Sequence, residues 1–409
     1  MPIHIQIIVA LVKIAVLIGG LMTAAAYFVL LERWIAAWVQ DRLGPNRVGV
    51  PLTKIRLFGL GQPLADGVKF ILKEDYTPAQ VDKVLFTAAP ISILAAALAA
   101  FAVVPFGSFL PKAGIPGIDQ AVELLVATDL DVGLIYAFAL SSIAVYGVIL
   151  GGWASNSKYS FLGGLRSSAQ LIAYELPMGL GILGIVLFSS SLRLDTIISD
   201  QANTGLWNVF VQPLGFVVFL VAAFAESARL PFDLPECEQE LIGGYHTEYS
   251  GIRLLMYLVA EFLHMITAAF LIAILYFGGW HFWGLTGSSD DIGWVQAILR
   301  IAVLSAKVFV IILFFMMARW SWPRFRFDQL MALAWKVMLP LGLVNLVAVA
   351  FVTEFAWDVK NHRLGGSPLI VIVAMWVVAI ASWWLAGITS PLSTDNRPRM
   401  PIPLEEVEV

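Results

Sequence analysis

The chain has 409 residues, 59% hydrophobic and 13% charged, with a mean hydropathy of +0.84 and a net charge of −4. A soluble globule carries roughly 25% charged residues, so this composition belongs to a polytopic membrane protein, and nothing in the charge suggests nucleic acid. The single cysteine, Cys237, can form neither an internal disulfide nor an iron–sulfur cluster, which takes about four ligands. The five histidines lack metal-ligand spacing, and there is no GxGxxG or phosphate-loop pattern, so no redox centre is expected in this chain.

Crossing about 30 Å of hydrocarbon takes roughly 20 apolar residues. Nine runs meet this: 4–31, 81–104, 130–152, 167–190, 208–228, 252–279, 295–319, 332–353 and 367–388. The predicted fold class is all-α, a polytopic transmembrane helix bundle of about nine spans. The first run is too long for a signal-peptide core and lacks a basic start or a small-residue cleavage site, so it reads as a retained span. The loops after the first, third, fifth and seventh runs, with the tail, carry 16 Lys and Arg, against 4 in the other loops. The bias predicts an N-terminus outside and a C-terminus in the cytoplasm.

In chain order, the first run ends at Glu32-Arg33, and DRLGPNRVG follows at 41–49. Its Gly-Pro-Asn fixes a turn among basic residues, including Arg42 and Arg47. GLGQPLADGVK at 59–69 continues to Lys73-Glu74. Leu64, Val68, Ile71 and Leu72 fall on one face, with Asp66, Lys69 and Lys73 mostly elsewhere, which predicts an amphipathic helix lying along the membrane surface. The Pro- and Gly-rich 105–129 loop shows no chemistry. The fourth run contains Tyr174-Glu175-Leu176-Pro177. A charge at a helix centre costs about 3 kcal/mol, and Pro177 frees a backbone carbonyl beside it, so Glu175 is either hydrated near the interface or buried for a function.

Residues 226–251 read ESARLPFDLPECEQELIGGYHTEYSG and hold Glu226, Asp233, Glu236, Glu238, Glu240 and Glu248 with a single arginine, Arg229. Crowded carboxylates raise one another's affinity for protons, which suits a proton-handling site. The other reading is a solvated acidic loop that docks on a basic partner. Pro231, Pro235, Gly243, Gly244 and Gly251 argue for a fixed shape. In the sixth run Glu261 and His264 share one helix face, either for function or as hydrogen-bonding glue between helices. In the seventh, Arg300 lies near the outer end, placed to snorkel, whereas Lys307 is more central and needs a partner or water. Lys13 in the first run reads as structural. WPRFRFDQL at 322–330 places Arg324 and Arg326 on the same side as the acidic stretch, as counter-ions for it or for a partner. WK at 335–336 and LPL at 339–341 follow, and the ninth run holds Trp376, Trp383 and Trp384.

The acidic stretch, DRLGPNRVG, GLGQPLADGVK and PRFRFDQLM with the WK and LPL that follow together resemble the H-type membrane subunits of proton-pumping NADH-quinone oxidoreductase (respiratory complex I), whose mitochondrial counterpart is NADH dehydrogenase subunit 1. The resemblance implies an eight-span core at 1–355, with an extra transmembrane helix and cytoplasmic tail at 356–409. It implies a bacterial inner-membrane subunit that forms a quinone tunnel at the junction with the hydrophilic arm and couples quinone reduction to proton translocation. Quinone is the substrate, while NADH, FMN and iron–sulfur clusters belong to partner subunits. Other implied partners are neighbouring membrane subunits and lipid. The coupling residues implied are Glu175, Glu226, Arg229, Asp233, Glu236, Glu238, Glu240, Glu248 and Glu261. Those implied for the tunnel are Glu32, Arg33, Arg42, Asn46, Gln62, Asp66, Lys69, Arg324 and Arg326. The alternatives are the related membrane subunit of a hydrogenase-type complex and an ion transporter. Transporters often show paired internal repeats, and no convincing repeat is found here.

Overall fold

The computed structural model describes residues 3–49, 58–111, 121–128, 130–233, 242–286, 293–358, 363–364 and 368–389. Among them, eight helices are long and apolar enough to cross a membrane, and a ninth apolar helix is shorter. The first two thirds of the chain give α1 (Ile3–Val39), α2 (Gln62–Leu72), α3 (Lys83–Ala100), α4 (Gly133–Ala154), α5 (Lys158–Ser189), α6 (Leu194–Thr204), α7 (Asn208–Val211), α8 (Pro213–Glu226) and α9 (Gly251–Tyr276). Then come α10 (Trp294–Ser321), α11 (Phe327–Ala332), a π-helical segment (Leu333–Met338), α12 (Leu339–Ala356) and α13 (Pro368–Thr389). Two-residue antiparallel strand pairs, β1 (Phe109–Leu110) with β2 (Val122–Glu123) and β3 (Trp357–Asp358) with β4 (Arg363–Leu364), tie connecting loops.

Several helices outrun their apolar cores. α1 continues past the predicted end of its run at residue 31, so Glu32 and Arg33 sit on a rigid helix rather than a loop. α5 begins at Lys158 and keeps Arg166 helical. The fifth predicted run, 208–228, is instead broken at Gln212, whose φ of −129° and ψ of 63° are not helical. Pro213 restarts the chain as the first residue of α8, where its missing N–H costs nothing. α8 then spans 14 residues, about 21 Å. The π-helical turn at 333–338 sits just before Pro340, which has no N–H to give to the Lys336 carbonyl.

α9 is the most deeply packed span, and α1 and α13 lie at the periphery. α5 packs on α4, α8 and α12, and α9 packs on α3 and α10. α13 packs on α12, α8 and α7, where Val371 and Met375 meet Val211 and Val349. Trp376 Nε1 donates to the Phe210 carbonyl at 3.1 Å.

Polar groups inside the bundle are used as ties. Lys307 Nζ donates to the carbonyls of Phe277 (2.6 Å), Gly279 (2.9 Å) and His281 (2.6 Å), satisfying the C-terminal end of α9 and the turn after it. Arg300 is buried rather than snorkelling, because Nε reaches the Thr286 carbonyl at 3.2 Å and Nη1 reaches Ser108 Oγ at 2.9 Å. Lys13 Nζ donates to the Leu125 carbonyl at 3.0 Å.

The turn at Gly244–His246 presses its backbone on α5 at Gly163, where an added Cβ would lie 2.6 Å from the Gly244 Cα. Gly163→Ala is therefore expected to shift this turn at a cost of roughly 1–3 kcal/mol. Amide hydrogen exchange over 244–249 should accelerate about tenfold, since 1.4 kcal/mol is a factor of ten. Gly179→Ala on the same helix, with open space around it, should leave that exchange unchanged.

Candidate functional site

The site lies at the end of the bundle where α1, α8, α9 and α10 meet. Arg229, on the turn that follows α8, is 1% exposed. Its Nη1 donates to Glu32 Oε2 of α1 at 2.5 Å, and its Nε lies 3.1 Å from Glu261 Oε1 of α9. Its guanidinium stands 4.1 Å from the centre of the Phe262 ring, close enough for a cation–π contact. Arg319, in the last turn of α10, pairs with the other oxygen of Glu32. The Arg229 turn is held from behind. Gln170 Nε2 of α5 donates to the carbonyls of Ala225 (2.8 Å) and Phe232 (2.7 Å), and Phe232 stacks on Phe325 with ring centres 5.4 Å apart. Arg324 pairs with Asp233 at 2.7 Å, which locks the chain after α8 to the link between α10 and α11.

Beside this network lies a cavity of about 1260 Å³. Its apolar wall includes Met22, Ala26, Val29, Leu255, Leu258 and Phe262. Its polar wall includes Glu32, Arg33, Arg42, Asn46, Gln62 and Asp66, together with Arg47 and Arg319. Arg33 pairs with Asp66 of α2 at 2.7 Å, and Gln62 Nε2 donates to the other Asp66 oxygen at 3.1 Å. Trp34 Nε1 holds the 41–49 loop in place through the Pro45 carbonyl at 3.0 Å. The apolar side chains of α2 predicted to face lipid, Leu64, Val68, Ile71 and Leu72, are exposed.

A second, smaller cavity of about 50 Å³ lies among α3, α4, α5, α8 and α9, and Glu175, Glu226, Glu261 and His264 line it. Ser141 donates to Glu226 and Ser142 donates to Glu175, from successive positions of α4. Tyr174, next to Glu175, turns away and donates to the Leu330 carbonyl at 2.9 Å.

The structure therefore divides the residues singled out in the sequence. Glu32, Arg33, Arg42, Asn46, Gln62 and Asp66 share the large cavity. Lys69 does not line it and lies over the Phe70 ring, while Arg324 is taken by Asp233 and Arg326 is exposed beside Asp328. Glu175, Glu226 and Glu261 meet at the small cavity. Arg229 binds carboxylates from distant helices. Glu248 is half-buried in the turn before α9. Glu236, Glu238, Glu240, Cys237, Lys54 and Arg56 lie outside the described residues. The sequence patterns do not single out Arg319, Gln170 or the Ser141–Ser142 pair. Polar residues at a depth where hydrocarbon is expected were the signal available for Gln170, Ser141 and Ser142. Among the described residues, no group of three or more His, Cys, Asp and Glu side chains could hold a metal ion.

A family description, NADH dehydrogenase, matches residues 12–350. The chain belongs to the NADH dehydrogenase family. It is 46% identical over 351 residues to an H-type subunit of the NADH-quinone oxidoreductase of Geobacter metallireducens, covering 86% of this chain and 98% of that one. It is 44% identical over 326 residues to the corresponding protein of Cytophaga hutchinsonii, covering 80% and 91%. It is 42% identical over 337 residues to that of Flavobacterium johnsoniae, covering 82% and 92%. Both cavities are lined by residues inside the span matched to the NADH dehydrogenase family, and α13 lies beyond it.

The Arg229 network is testable by charge arithmetic. Arg229→Met leaves Glu32 and Glu261 without the cation they share, which should cost roughly 3–5 kcal/mol. The purified complex is expected to inactivate at a lower temperature, and adding Glu261→Gln should recover part of the loss in a double-mutant cycle.

His246, in the turn against α5, is pushed by burial from 6.5 down to about 4, against the pull of the Asp233 carboxylate. An imidazole held neutral in the folded state loses its advantage as pH falls below 6.5, because the unfolded segment then binds a proton that the folded one refuses. The segment should lose about 2 kcal/mol of local stability between pH 7.5 and pH 5, visible as lower protection factors over 244–249 once exchange is corrected for its intrinsic pH dependence. His246→Gln should flatten that pH dependence.

Proposed function

We propose that this chain is the quinone-tunnel subunit of a proton-translocating NADH-quinone oxidoreductase and that it couples quinone reduction to proton movement. The observation that carries this reading is the cavity of about 1260 Å³, apolar along α1 and α9 and charged where α1, α2 and the 41–49 loop meet. An isoprenoid tail is matched by the apolar wall, and a headgroup that gains negative charge on reduction is matched by Arg33, Arg42, Arg47 and Arg319. The relatives named as H-type subunits of NADH-quinone oxidoreductase support the same assignment.

In this reading the electrons come from hydrophilic-arm partners that carry NADH, FMN and iron–sulfur clusters, and this chain has no redox centre of its own. The chain sits in a bacterial inner membrane with its N-terminus outside and its C-terminus in the cytoplasm, so the Arg229 end faces the arm. Residues 1–355 form the family domain, and 356–409 add a span and a tail that pack beside neighbouring subunits and lipid. Coupling is electrostatic. One negative charge placed about 8 Å from an arginine in a medium of effective dielectric 20 interacts by about 2 kcal/mol, enough to shift a proton's distribution roughly thirtyfold. Charge arriving at the polar end of the cavity competes with Glu32 for Arg319 and Arg229. As Arg229 loosens its hold on Glu261, that carboxylate becomes able to take a proton, and the disturbance reaches Glu226 and Glu175 across the small cavity.

A photoreactive quinone analogue in native membranes should label peptides within 22–48, 62–70 or 255–262, and excess quinone should abolish the labelling. Labelling confined to partner chains, or insensitive to quinone, would refute the tunnel. Asp233→Asn should lower coupled quinone reductase activity while the complex still assembles, because it frees Arg324 from the turn that holds Arg229. Full activity with full pumping in that variant would remove the turn from the coupling.

A further inference from the structure

Glu261, His264 and Thr267 follow one another at intervals of three on α9, a polar stripe about 9 Å long descending into the bundle. Glu261 belongs to the Arg229 network and lines the cavity of about 50 Å³. Past His264 lies another cavity of about 20 Å³, at the meeting of α3, α4, α8 and α9. Its polar lining is Ser141, Glu226, His264 and Thr267, and its far wall is made of Ala96, Ala100, Ala137 and Ala268 with Phe138 and Leu271. Ser141, Glu226 and His264 line both cavities and so form the partition between them.

The volumes decide what these spaces can hold. One water needs roughly 10–15 Å³ of this kind of volume and two to four polar partners. The deeper cavity has room for a single water, with His264, Glu226, Ser141 and Thr267 as its partners. Thr267 Oγ1 donates to the Leu263 carbonyl at 2.9 Å, which leaves its lone pairs to accept from that water. Ser141 donates to Glu226 and holds that carboxylate at the partition. The titratable side chains facing the upper cavity are Glu175, Glu226, Glu261, His264, Tyr245 and Tyr257. His264 is the one with two ring nitrogens, so that it can accept a proton on one side while giving one up on the other.

We propose that His264 relays protons between Glu261, which belongs to the ion-pair network, and Glu226, which belongs to the carboxylate pair inside the membrane. The proposal rests on the coupling reading given above and names the residue that joins its two halves. In the forward step, one imidazole nitrogen takes the proton of the Glu261 carboxylic acid through a water in the upper cavity. The opposite nitrogen gives its own proton to the water of the deeper cavity, and that water gives one to the Glu226 carboxylate. One proton moves from Glu261 to Glu226, and no other bond changes. Ring rotation then turns the newly protonated nitrogen toward the deeper cavity and readies the imidazole for another transfer.

The test uses the whole complex, purified and reconstituted in liposomes, with NADH oxidation and dye-reported proton uptake measured together. His264→Gln keeps the size and hydrogen bonding of the side chain but cannot be protonated. Assembly and quinone KM are expected to be unchanged, with coupled turnover falling about tenfold or more, in the range over which positioned acid–base groups act. His264→Ala, which opens the space, should regain turnover when imidazole is added. Wild-type turnover and pumping in His264→Gln would overturn the relay and leave the histidine as packing, as would a defect explained wholly by a raised quinone KM. Glu226→Gln serves as the control. If it is impaired while His264→Gln is intact, only the relay fails. If Glu226→Gln also pumps as wild type, the carboxylate route itself is wrong, and the coupling reading fails with it.

Discussion

The structure depends on one buried cation. A guanidinium with 1% exposure must be answered by carboxylates, and Arg229 takes them from residues 32 and 261, far apart in the chain and on different helices. Meeting this electrostatic requirement brings α1 and α9 to one point, and Arg319 of α10 joins them through Glu32. Such pairs add little net stability, because desolvation offsets most of the attraction, but they specify one arrangement over its neighbours. Glu32 belongs to the wall of the large cavity and Glu261 to that of the small one. The arginine is thus the partition through which a change of charge on one side is felt on the other.

Away from this point, the bundle is held by polar side chains reaching for backbone. Lys307 ends α9, Gln170 braces the turn that carries Arg229, and Tyr174 reaches the Leu330 carbonyl of α11. In hydrocarbon, apolar side chains gain nothing from leaving lipid for protein, so helix association leans on close packing and on such bonds. The glycine approaches between α4, α5 and the 244–246 turn supply the close packing.

Much of this was legible in the sequence. Apolar run length located the spans, and Leu64, Val68, Ile71 and Leu72 marked α2 by their spacing, because both signals are local. The break at Gln212–Pro213 was missed because the apolar character of 208–228 continues through it, and hydropathy does not register a backbone dihedral. Glu32-Arg33 was expected to end the first span because charge usually does, yet the helix runs on to Val39 and Arg229 and Arg319 neutralise Glu32 within it. Pairings such as Arg229 with Glu261, or Ser142 with Glu175, join residues more than 30 positions apart and follow from tertiary packing alone. The roles of Lys13, Arg300 and Lys307 were opaque for the same reason, since their partners are mostly backbone carbonyls, which no sequence pattern announces.

The shortness of α8 also bears on how the protein is made. Fourteen residues are too few to span the hydrocarbon unaided, and the N–H of Gly215 in its first turn is satisfied by the Asn345 side chain of α12 at 3.1 Å. Those two residues are 130 positions apart, so at ordinary translation rates α8 leaves the ribosome roughly 6–26 s before its partner exists. During that interval the segment lacks both the length and the hydrogen bond that would hold it across the bilayer. Its final seating therefore belongs to the end of biogenesis, when α12 arrives, and a nascent chain stalled before residue 345 would be recognisable to membrane quality control by this one unseated helix.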